Sequence, residues 1–179
     1  MARTCGIRIG PRRYELVVLD GSAKKHRIVA FQTGEFPQGG EDPLDDAAAT
    51  LKAALKSSGA PLDTTAIAID TGLAAFRTLK LPDLEEGKIE QVIKFEVEGA
   101  LPHWNIDDVV VDFLKLDAVG GETSLLVSAV PKTDLTREID VCVRSGVEPL
   151  EVELEATAMV NAALAHSLAQ LNVKRRQRK

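Results

Sequence analysis

The sequence predicts an α/β fold into which a smaller α+β module is inserted. Short β-rich runs at 4–9, 14–20 and 27–36 are followed by a helical pattern and by a further strand at 65–70. A strand–helix–strand crossover implies parallel pairing, which is typical of α/β folds. From residue 73 the order changes to β-α-β-β-α, and this pattern continues to residue 146.

Turn and cap residues separate the elements of the first part. Gly10–Arg13 and Asp20–Ser22 have the composition of tight turns. Several Gly and Pro residues predict a loop over 32–43. Apolar residues at helical spacing then run from Leu44 to Leu55, and a Gly-Ala-Pro string ends this helix.

The same signals predict the inserted module and the two elements after it. Gly120 and Gly121 predict a hairpin with a loop of three to five residues, and Gly146 is expected to cap a helix C-terminus. In chain order the predicted elements are strand 73–81, a helix that starts after its N-cap Asp83 and stops at Pro102, strands 108–117 and 123–131, helix 132–145, strand 147–152 and helix 154–171.

The 179-residue chain has a formal net charge of -5, but this charge is unevenly distributed. Residues 1–173 carry 17 Lys and Arg against 27 Asp and Glu, whereas 174–179 carries five positive charges. An acidic body with a basic end is not typical of a nucleic-acid-binding protein, which presents a basic face. The aromatic content of 4% also argues against a stacking platform for single strands. We therefore expect no nucleic-acid partner.

The isolated cysteines indicate a reducing compartment, and the hydropathy bears on whether the chain enters a membrane. Cys5 and Cys142 are isolated, which predicts neither a zinc site nor a disulfide framework. The N-terminus runs directly into a strand pattern without a secretory signal. The uncharged stretch 156–173 matches a membrane span in length, but polar residues are scattered through it. We interpret it as a buried or partner-covered helix of a cytoplasmic protein, with membrane insertion as the alternative.

The spacing of reactive residues predicts no catalytic group. His26, His103 and His166 lie in separate contexts, so no Ser/His/Asp arrangement can be assembled. The carboxylates at 85–98 are expected to form a solvated helix face. Cys142 lies on an apolar helical stripe, where burial is expected. No metal site is predicted.

Three stretches carry a resemblance to a known family. They are Gly6–Gly10, the segment 66–82 (AIAIDTGLAAFRTLKLP) and the segment 85–112 (EEGKIEQVIKFEVEGALPHWNIDDVVVD). In the family, the third stretch contains a helix signature, then a turn with Pro, then an acidic entry to the next strand. The corresponding residues of this sequence are Glu96, Glu98, Leu101, Pro102, Trp104, Asp107 and Asp108. Over about residues 5–165 the chain resembles the PilM family of type IV pilus assembly proteins, cytoplasmic members of the actin/FtsA-like superfamily.

The resemblance implies an actin-like (ribonuclease H-like) half-domain with an inserted β-α-β-β-α subdomain. Residues 1–72 together with 147–171 correspond to subdomain 1A, and residues 73–146 correspond to subdomain 1C. Residues 172–179 are the basic tail. The chain is then similar to the first half of a protein that closes nucleotide between two halves, which leaves no residues here for the second half.

The phosphate loop of this family is altered in the chain. Aligned without gaps, Arg8 stands in place of the magnesium-site Asp, 11–13 in place of the hydroxyl run and Glu15 in place of the Lys. Arg8 cannot bind a metal, and Glu15 would repel a phosphate. The resemblance thus implies no enzyme activity and no ATP or magnesium cofactor. Gly10, Arg12 and Arg13 are interpreted as a vestigial phosphate loop. On the simpler interpretation they form only a solvated turn. The alternative function is an ATP-binding actin-like ATPase fragment that another chain completes.

In place of catalysis, the resemblance implies a scaffold. PilM-like proteins dock the short cytoplasmic N-terminal tail of PilN, an inner-membrane protein, and the related GspL cytoplasmic domain acts similarly in type II secretion. The implied location is cytoplasmic and peripheral to the inner membrane. The docking groove is expected near the seam of the two subdomains. The candidate residues there, for which core packing is the alternative role, are Phe76, Leu79, Leu81, Phe95 and Trp104.

The last helix and the tail give two further hypotheses. The helix is apolar on more than one face, which favours a homo-oligomer or a second protein bound along Val160, Leu164 and Leu168. The basic residues after it have three alternative interpretations. They are solvated beside the helix C-terminus, where they interact favourably with the helix dipole; they attract anionic lipid; or they act as a nucleic-acid arm. In the lipid hypothesis the membrane-surface residues are Lys174, Arg175, Arg176, Arg178 and Lys179.

Overall fold

The computed structural model describes residues 2–22, 25–82, 84–100 and 104–176. Within these ranges, the side chains left undescribed are those of residues 86, 100 and 166–176. The predicted N-cap Asp83 and the predicted helix stop Pro102 lie outside the described residues. The elements in chain order are β1 (Arg3–Ile9), β2 (Arg13–Ser22), β3 (Lys25–Glu35), α1 (Pro43–Ser58), β4 (Thr65–Ile69), β5 (Ala75–Pro82), α2 (Glu86–Ala100), β6 (Val109–Val119), β7 (Glu122–Pro131), α3 (Lys132–Ser145), β8 (Glu151–Leu154) and α4 (Glu155–Arg176).

The chain divides into two compact units. Its two sheets and four helices confirm the mixed α/β class predicted from the sequence. Unit 1 comprises Met1–Thr71 and Arg137–Lys179, and unit 2 comprises Gly72–Thr136. The structural boundary at Thr136 lies inside α3, whereas the sequence placed the end of the inserted module at 146. From Arg137 onwards α3 belongs to unit 1, where its residues Val141 and Cys142 are buried.

Unit 1 is built on a five-stranded sheet with the strand order β3-β2-β1-β4-β8. Strands β1, β2 and β3 pair antiparallel as a meander, whereas β4 runs parallel to both β1 and β8. Alternate residues of the central strands point to one face and are fully buried, among them Ile7 and Ile9 of β1 and Leu16 of β2. The apolar face of α1, centred on Leu51, is buried as well and contacts β2 and β3.

The ends of α1 are fixed by capping. The Asp42 carboxylate accepts hydrogen bonds from the backbone N–H groups of Leu44 and Asp45, and Pro43 occupies the first turn. Gly59 adopts φ 63°, the left-handed conformation that ends many helices. The sequence prediction of this helix and of its C-terminal stop is therefore confirmed.

Both cysteines are buried in unit 1, as predicted for Cys142. Burial raises the pKa of the Cys5 thiol to about 11 and the pKa of the Cys142 thiol to about 12. The thiolate is the reactive form of cysteine, and both groups stay protonated at neutral pH. These residues therefore act as small apolar side chains of the core.

Unit 2 is a three-stranded antiparallel sheet in the order β5-β7-β6, with α2 packed on one face. The apolar stripe of α2 that the sequence predicted is confirmed, since three of its residues are less than 4% exposed: Ile89, Ile93 and Val97. Their partners on the sheet are Leu81, Leu125, Val127 and Ala129.

The predicted loop of three to five residues between β6 and β7 is wrong. The loop has two residues, Gly120 and Gly121, which adopt φ 66° and 84°. Two consecutive positive φ values match the twist of the flanking strands, and glycine tolerates them without a steric cost.

Three other predicted boundaries shift for local reasons. Strand β3 extends into the predicted loop as far as Glu35, because Arg13 of β2 still pairs with it. Strand β8 begins at Glu151 rather than 147, since the N–H of Val147 is used to cap α3 by donating to the Cys142 carbonyl. Helix α4 continues past the predicted residue 171 to Arg176. Across the described residues, none of the helices combines the length and hydrophobicity needed to cross a bilayer.

Candidate functional site

The carboxyl ends of the three parallel strands of unit 1 meet at one edge of its sheet. Gly10 follows β1, Asp70 follows β4, and Glu155 follows β8 as the first residue of α4. In open α/β sheets, this edge is where ligands commonly bind. It is also the edge at which the sequence placed the altered phosphate loop, so we describe its side chains first.

Arg8 is the centre of this edge and is surrounded by three carboxylates. Its Nε lies 2.9 Å from Oε1 of Glu155 and 3.7 Å from Oε2 of Glu15, and its Nη2 lies 3.9 Å from Oδ2 of Asp70. Nη2 also donates a 3.2 Å hydrogen bond to Oε2 of Glu155. The Nε contact is an ion pair whose angle does not make it a hydrogen bond. We call Arg8, Glu15, Asp70 and Glu155 the Arg8 cluster.

The sheet register explains why these four residues meet. Arg8 is directly opposite Glu15 in the antiparallel β1–β2 pair, and it lies opposite Ala68, two residues before Asp70, in the parallel β1–β4 pair. Glu155 is held at the start of α4, where the backbone N–H of Ala156 donates to the Thr71 hydroxyl. The cluster therefore joins β1, β2, the end of β4 and the start of α4.

The electrostatics of the cluster favour a charged Arg8. The hydrogen bond to Glu155 raises the pKa of the guanidinium above its ordinary value, and the charges of Glu155, Glu15 and Asp70 act in the same direction. Partial burial opposes them. The Arg8 side chain is only 18% exposed, so its pairs are screened less than surface pairs. A cation supplied by the chain itself thus sits among the carboxylates.

The turn after β1 contains the other residues of the vestigial phosphate loop. The Gly10 N–H donates to the Arg13 carbonyl at 3.0 Å, which makes a tight turn, and the Phe36 N–H donates to the Arg12 carbonyl at 2.7 Å. The Arg12 side chain is exposed, and Arg13 is 61% exposed with its Nε 3.6 Å from Glu15. A Cβ at Gly10 would meet only ordinary contacts, at 3.5 Å or more. The glycine is therefore not required here by a close approach.

A cavity of about 110 Å³ lies beside this turn, entirely within unit 1. Phe36 forms part of its wall and packs against the Tyr14 ring at a centroid distance of 5.5 Å. The buried Glu138 and the exposed Arg137 supply its charged groups. We call this the Phe36 pocket; its lining residues are Gly10, Pro11, Phe36, Pro37, Gln38, Gly39, Pro43, Leu44, Ala47, Arg137, Glu138 and Val141.

The predicted docking residues of the subdomain seam lie in unit 2 and do not form one surface there. Leu81 belongs to the buried core, and Leu79 and Trp104 pack against that core while partly buried. Phe95 is 75% exposed on α2. Phe76 is half-buried and lies on the opposite sheet face from Leu79, three residues away on β5. Of this set, Phe95 is the side chain available to a partner.

The predicted self-association helix is only partly described. Val160 and Leu164 are each 57% exposed on α4, so the other described residues leave both largely uncovered. The side chain of Leu168 lies outside the described residues. The same holds for the side chains of 174–176 in the basic tail and for Arg178 and Lys179 altogether.

Two features of this site were not found from the sequence. The partners of Arg8, Asp70 and Glu155, depend on the register of parallel strands far apart in the chain, although Asp70 ends one predicted strand and Glu155 follows another. The Phe36 pocket combines the Gly10 turn, the start of α1 and the later part of α3, and no local pattern brings these together. No group of three or more His, Cys, Asp or Glu in the described ranges is arranged to hold a metal ion.

Comparison with solved structures gives two informative matches. The first is a chain of a PilM–PilN type IV pilus biogenesis complex, with a TM-score of 0.72 and 18% identity, covering 86% of this chain. The chain has a PilM-like fold. The second is the cytoplasmic domain of EpsL, an inner-membrane component of the Vibrio cholerae type II secretion system, with a TM-score of 0.57 and 13% identity, covering 85% of this chain.

The PilM-like fold covers only part of each of these proteins. The chain spans 47% of the length of the first and 57% of the second. At these identities the likeness establishes the fold alone, and at this level the resemblance inferred from the sequence is confirmed. No protein-family model and no curated protein matches the sequence.

Proposed function

We propose that the chain is a non-catalytic scaffold of a type IV pilus or type II secretion platform, with an actin-like half-fold that docks the N-terminal tail of a PilN-type membrane protein. The observation that carries this proposal is the PilM-like fold, shared with a chain of a PilM–PilN complex. Such a scaffold works in the cytoplasm at the inner face of the membrane. Attraction of its basic tail to anionic lipid belongs to the same proposal.

The absence of catalysis is inferred from the Arg8 cluster. A magnesium nucleotide needs a carboxylate to hold the hydrated cation and donors to receive the phosphates. Here the carboxylates at the carboxyl edge already surround a guanidinium, 2.9 Å from Glu155 at its closest. The Phe36 pocket is also smaller than the roughly 300–1,000 Å³ of typical small-molecule sites. Both observations disfavour a nucleotide.

We expect isothermal titration calorimetry with Mg-ATP to give no binding heat. An active actin-like ATPase in the same buffer is the positive control, and the Arg12→Gln, Arg13→Gln double variant is the matched negative control for anion attraction by the turn. Micromolar binding that the double variant retains would contradict the proposal. That result would support the alternative function, an ATPase fragment completed by another chain.

The docking of a peptide tail is assigned to the Phe36 pocket. Its volume admits one side chain, and Phe36, Leu44 and Val141 supply apolar contacts in a wall that is otherwise largely polar. Arg137 and Glu138 give it charges of both signs at one side. A short apolar residue of the tail, flanked by polar backbone, suits such a pocket.

Leu44→Asp is expected to weaken the binding of a PilN-type tail peptide by at least about tenfold, because it replaces an apolar contact of the pocket by a carboxylate beside the acidic Glu138. The measurement is fluorescence anisotropy of the labelled peptide. Ala49→Asp is the matched control, since Ala49 is exposed on the same helix and does not line the pocket. Phe95→Asp tests the site in unit 2 that the sequence predicted. If Phe95→Asp weakens binding and Leu44→Asp does not, the assignment to the pocket is wrong. A wild-type chain that does not bind the peptide would contradict the docking function itself.

A further inference from the structure

Helix α4 is left uncovered by the other described residues soon after it begins. Its first residues, 155–158, are half-buried, whereas every residue of 159–165 is exposed. The large apolar side chains of this stretch are 66% exposed at Met159 and 57% exposed at both Val160 and Leu164. In water a helix is stabilised mainly by packing an apolar face against another element. The exposed part of α4 therefore favours a partner.

One side of α4 carries a continuous stripe of residues, which we call the α4 stripe. Its members follow one another at spacings of three and four, which places them on one side of a helix. They are Thr157, Val160 and Leu164 and, further along the sequence, Leu168 and Leu171. Glu155 is two residues before Thr157 and therefore lies on the other side of the helix, where it contacts Arg8. The α4 stripe thus points away from the Arg8 cluster.

An acidic side chain lies at the start of the α4 stripe. The Thr157 hydroxyl donates a 2.6 Å hydrogen bond to Oε2 of Glu153, which belongs to the preceding strand β8. This contact holds the Glu153 carboxylate beside the first residue of the stripe. Glu153 is exposed, and none of the described cationic side chains forms an ion pair with it. The stripe therefore begins with a negative charge that is accessible to a partner.

The sequence makes the other end of the stripe basic. Lys174 and Arg175 continue the same spacing after Leu171, and further basic residues follow as far as Lys179. The helix extends to Arg176 and has 22 residues. Because a helix rises about 1.5 Å per residue, its acidic start and its basic end are about 30 Å apart. The two ends of one α4 therefore cannot pair with each other.

Two copies of α4 that pack antiparallel bring these ends together. When the two-fold axis lies midway between Leu164 and Leu168, these two residues are opposite each other in the two copies. Thr157 of each copy is then level with Arg175 of the other, so the Glu153 carboxylate lies beside the partner's basic end. A parallel pair would instead place like charges together at both ends. The antiparallel pair also sets the opposite ends of the two helix dipoles side by side, and both subunits use the same patch.

We propose that the chain forms an antiparallel homodimer through the α4 stripe, with Glu153 of each copy paired with the basic end of the other helix. A second copy is favoured because the apolar stripe, its acidic start and its basic end are complementary to themselves in the antiparallel order. An anionic membrane would attract the basic end but repel the acidic start. This inference does not depend on the docking of a PilN-type tail, which is assigned to the Phe36 pocket.

The apolar part of the interface is tested by sedimentation velocity over a concentration series of the full chain. Leu164→Asp is expected to weaken self-association by at least about tenfold, because it places two carboxylates in the apolar centre of the dimer. Ala162→Asp is the matched control. Ala162 is exposed on the same helix but lies two residues before Leu164, on the side away from the α4 stripe. This control should associate like the wild type.

A charge exchange tests the antiparallel order by the same measurement. Glu153→Lys is expected to weaken self-association by about tenfold, because it places like charges together at both ends of the dimer. The triple variant Lys174→Glu, Arg175→Glu, Arg178→Glu should do the same. In an equimolar mixture of the two variants every end contact is attractive again, so a heterodimer is expected to form. Glu98→Lys is the matched control, since Glu98 is exposed on α2 and the change in net charge is the same.

Several outcomes would overturn the proposal. A wild-type chain that stays monomeric over the whole series would do so, and so would equal association of Leu164→Asp and Ala162→Asp. A mixture of the two charge variants that stays monomeric, although circular dichroism shows both to be folded, would exclude the antiparallel order. A wild-type chain that is monomeric but sediments with phosphatidylserine vesicles, and loses this binding in Leu164→Asp, would assign the α4 stripe to a membrane surface instead.

Discussion

Replacing Leu125 by Ala is expected to lower the free energy of unfolding of unit 2 by about 3 kcal/mol. Leu125 is 0% exposed, and it lies on β7 among the residues of α2 and β5 that form the core of this unit. Removing its three outer carbon atoms loses their transfer free energy and leaves a cavity that the flanking helix and strands cannot fully close. In a unit of this size, a loss of that magnitude is a large share of the total stability.

The single tryptophan of the chain gives this prediction a local readout. Trp104 packs, partly buried, against the same core, so its fluorescence during urea denaturation reports on unit 2. Leu126→Ala is the matched control, because Leu126 is the next residue on β7, is half-buried and points to the opposite face. It is expected to cost about 1 kcal/mol. Equal shifts in the two variants would show that α2 does not cover this face of the sheet as described.

The core of both units could be predicted from the sequence because its signals are local. The period of two in β2 and β7 and the stripe of Ile89, Ile93 and Val97 on α2 depend only on the neighbours within each element. The boundaries that were wrong depend on partners elsewhere. The loop after β3 starts later than the predicted residue 32, because the strand still pairs with Arg13. The start of β8 is decided by the capping of α3 at Gly146.

Only part of the candidate site could be predicted by the same reasoning. The replacement of the magnesium-site Asp by Arg8 follows from aligning one short string with a family. The ion-pair partners of Arg8 do not follow from that alignment, because Glu155 is 147 residues away in the sequence. The strand order β1-β4-β8 brings it close to Arg8. The predicted docking residues were chosen by their apolar type and by their place in the sequence; they are Phe76, Leu79, Leu81, Phe95 and Trp104. Apolar residue type alone does not distinguish a core position such as Leu81 from an exposed one such as Phe95.

Removing the cation of the Arg8 cluster is expected to have the second largest effect on stability. Arg8→Met keeps the aliphatic stem but leaves Glu155, Glu15 and Asp70 without their shared partner, with an expected cost of about 2 kcal/mol in the free energy of unfolding. This value is below the cost of breaking a fully buried pair, because the carboxylates remain about one-third exposed. Urea denaturation followed by far-UV circular dichroism measures it, and added salt should reduce the cost by screening the carboxylates.

Two further variants separate the charge of Arg8 from its geometry. Arg8→Lys restores the charge without the planar fork that reaches Glu155 through two nitrogens, so it should recover only part of the stability. Arg13→Met is the matched control, since the Arg13 side chain is 61% exposed and its ion pair with Glu15, at 3.6 Å, is a surface contact; a change within about 0.5 kcal/mol is expected. If Arg8→Met were as mild as this control, the guanidinium would not hold the carboxyl edge together. A guanidinium held so weakly would be displaced by a competing cation at little cost, which would weaken the inference against nucleotide binding.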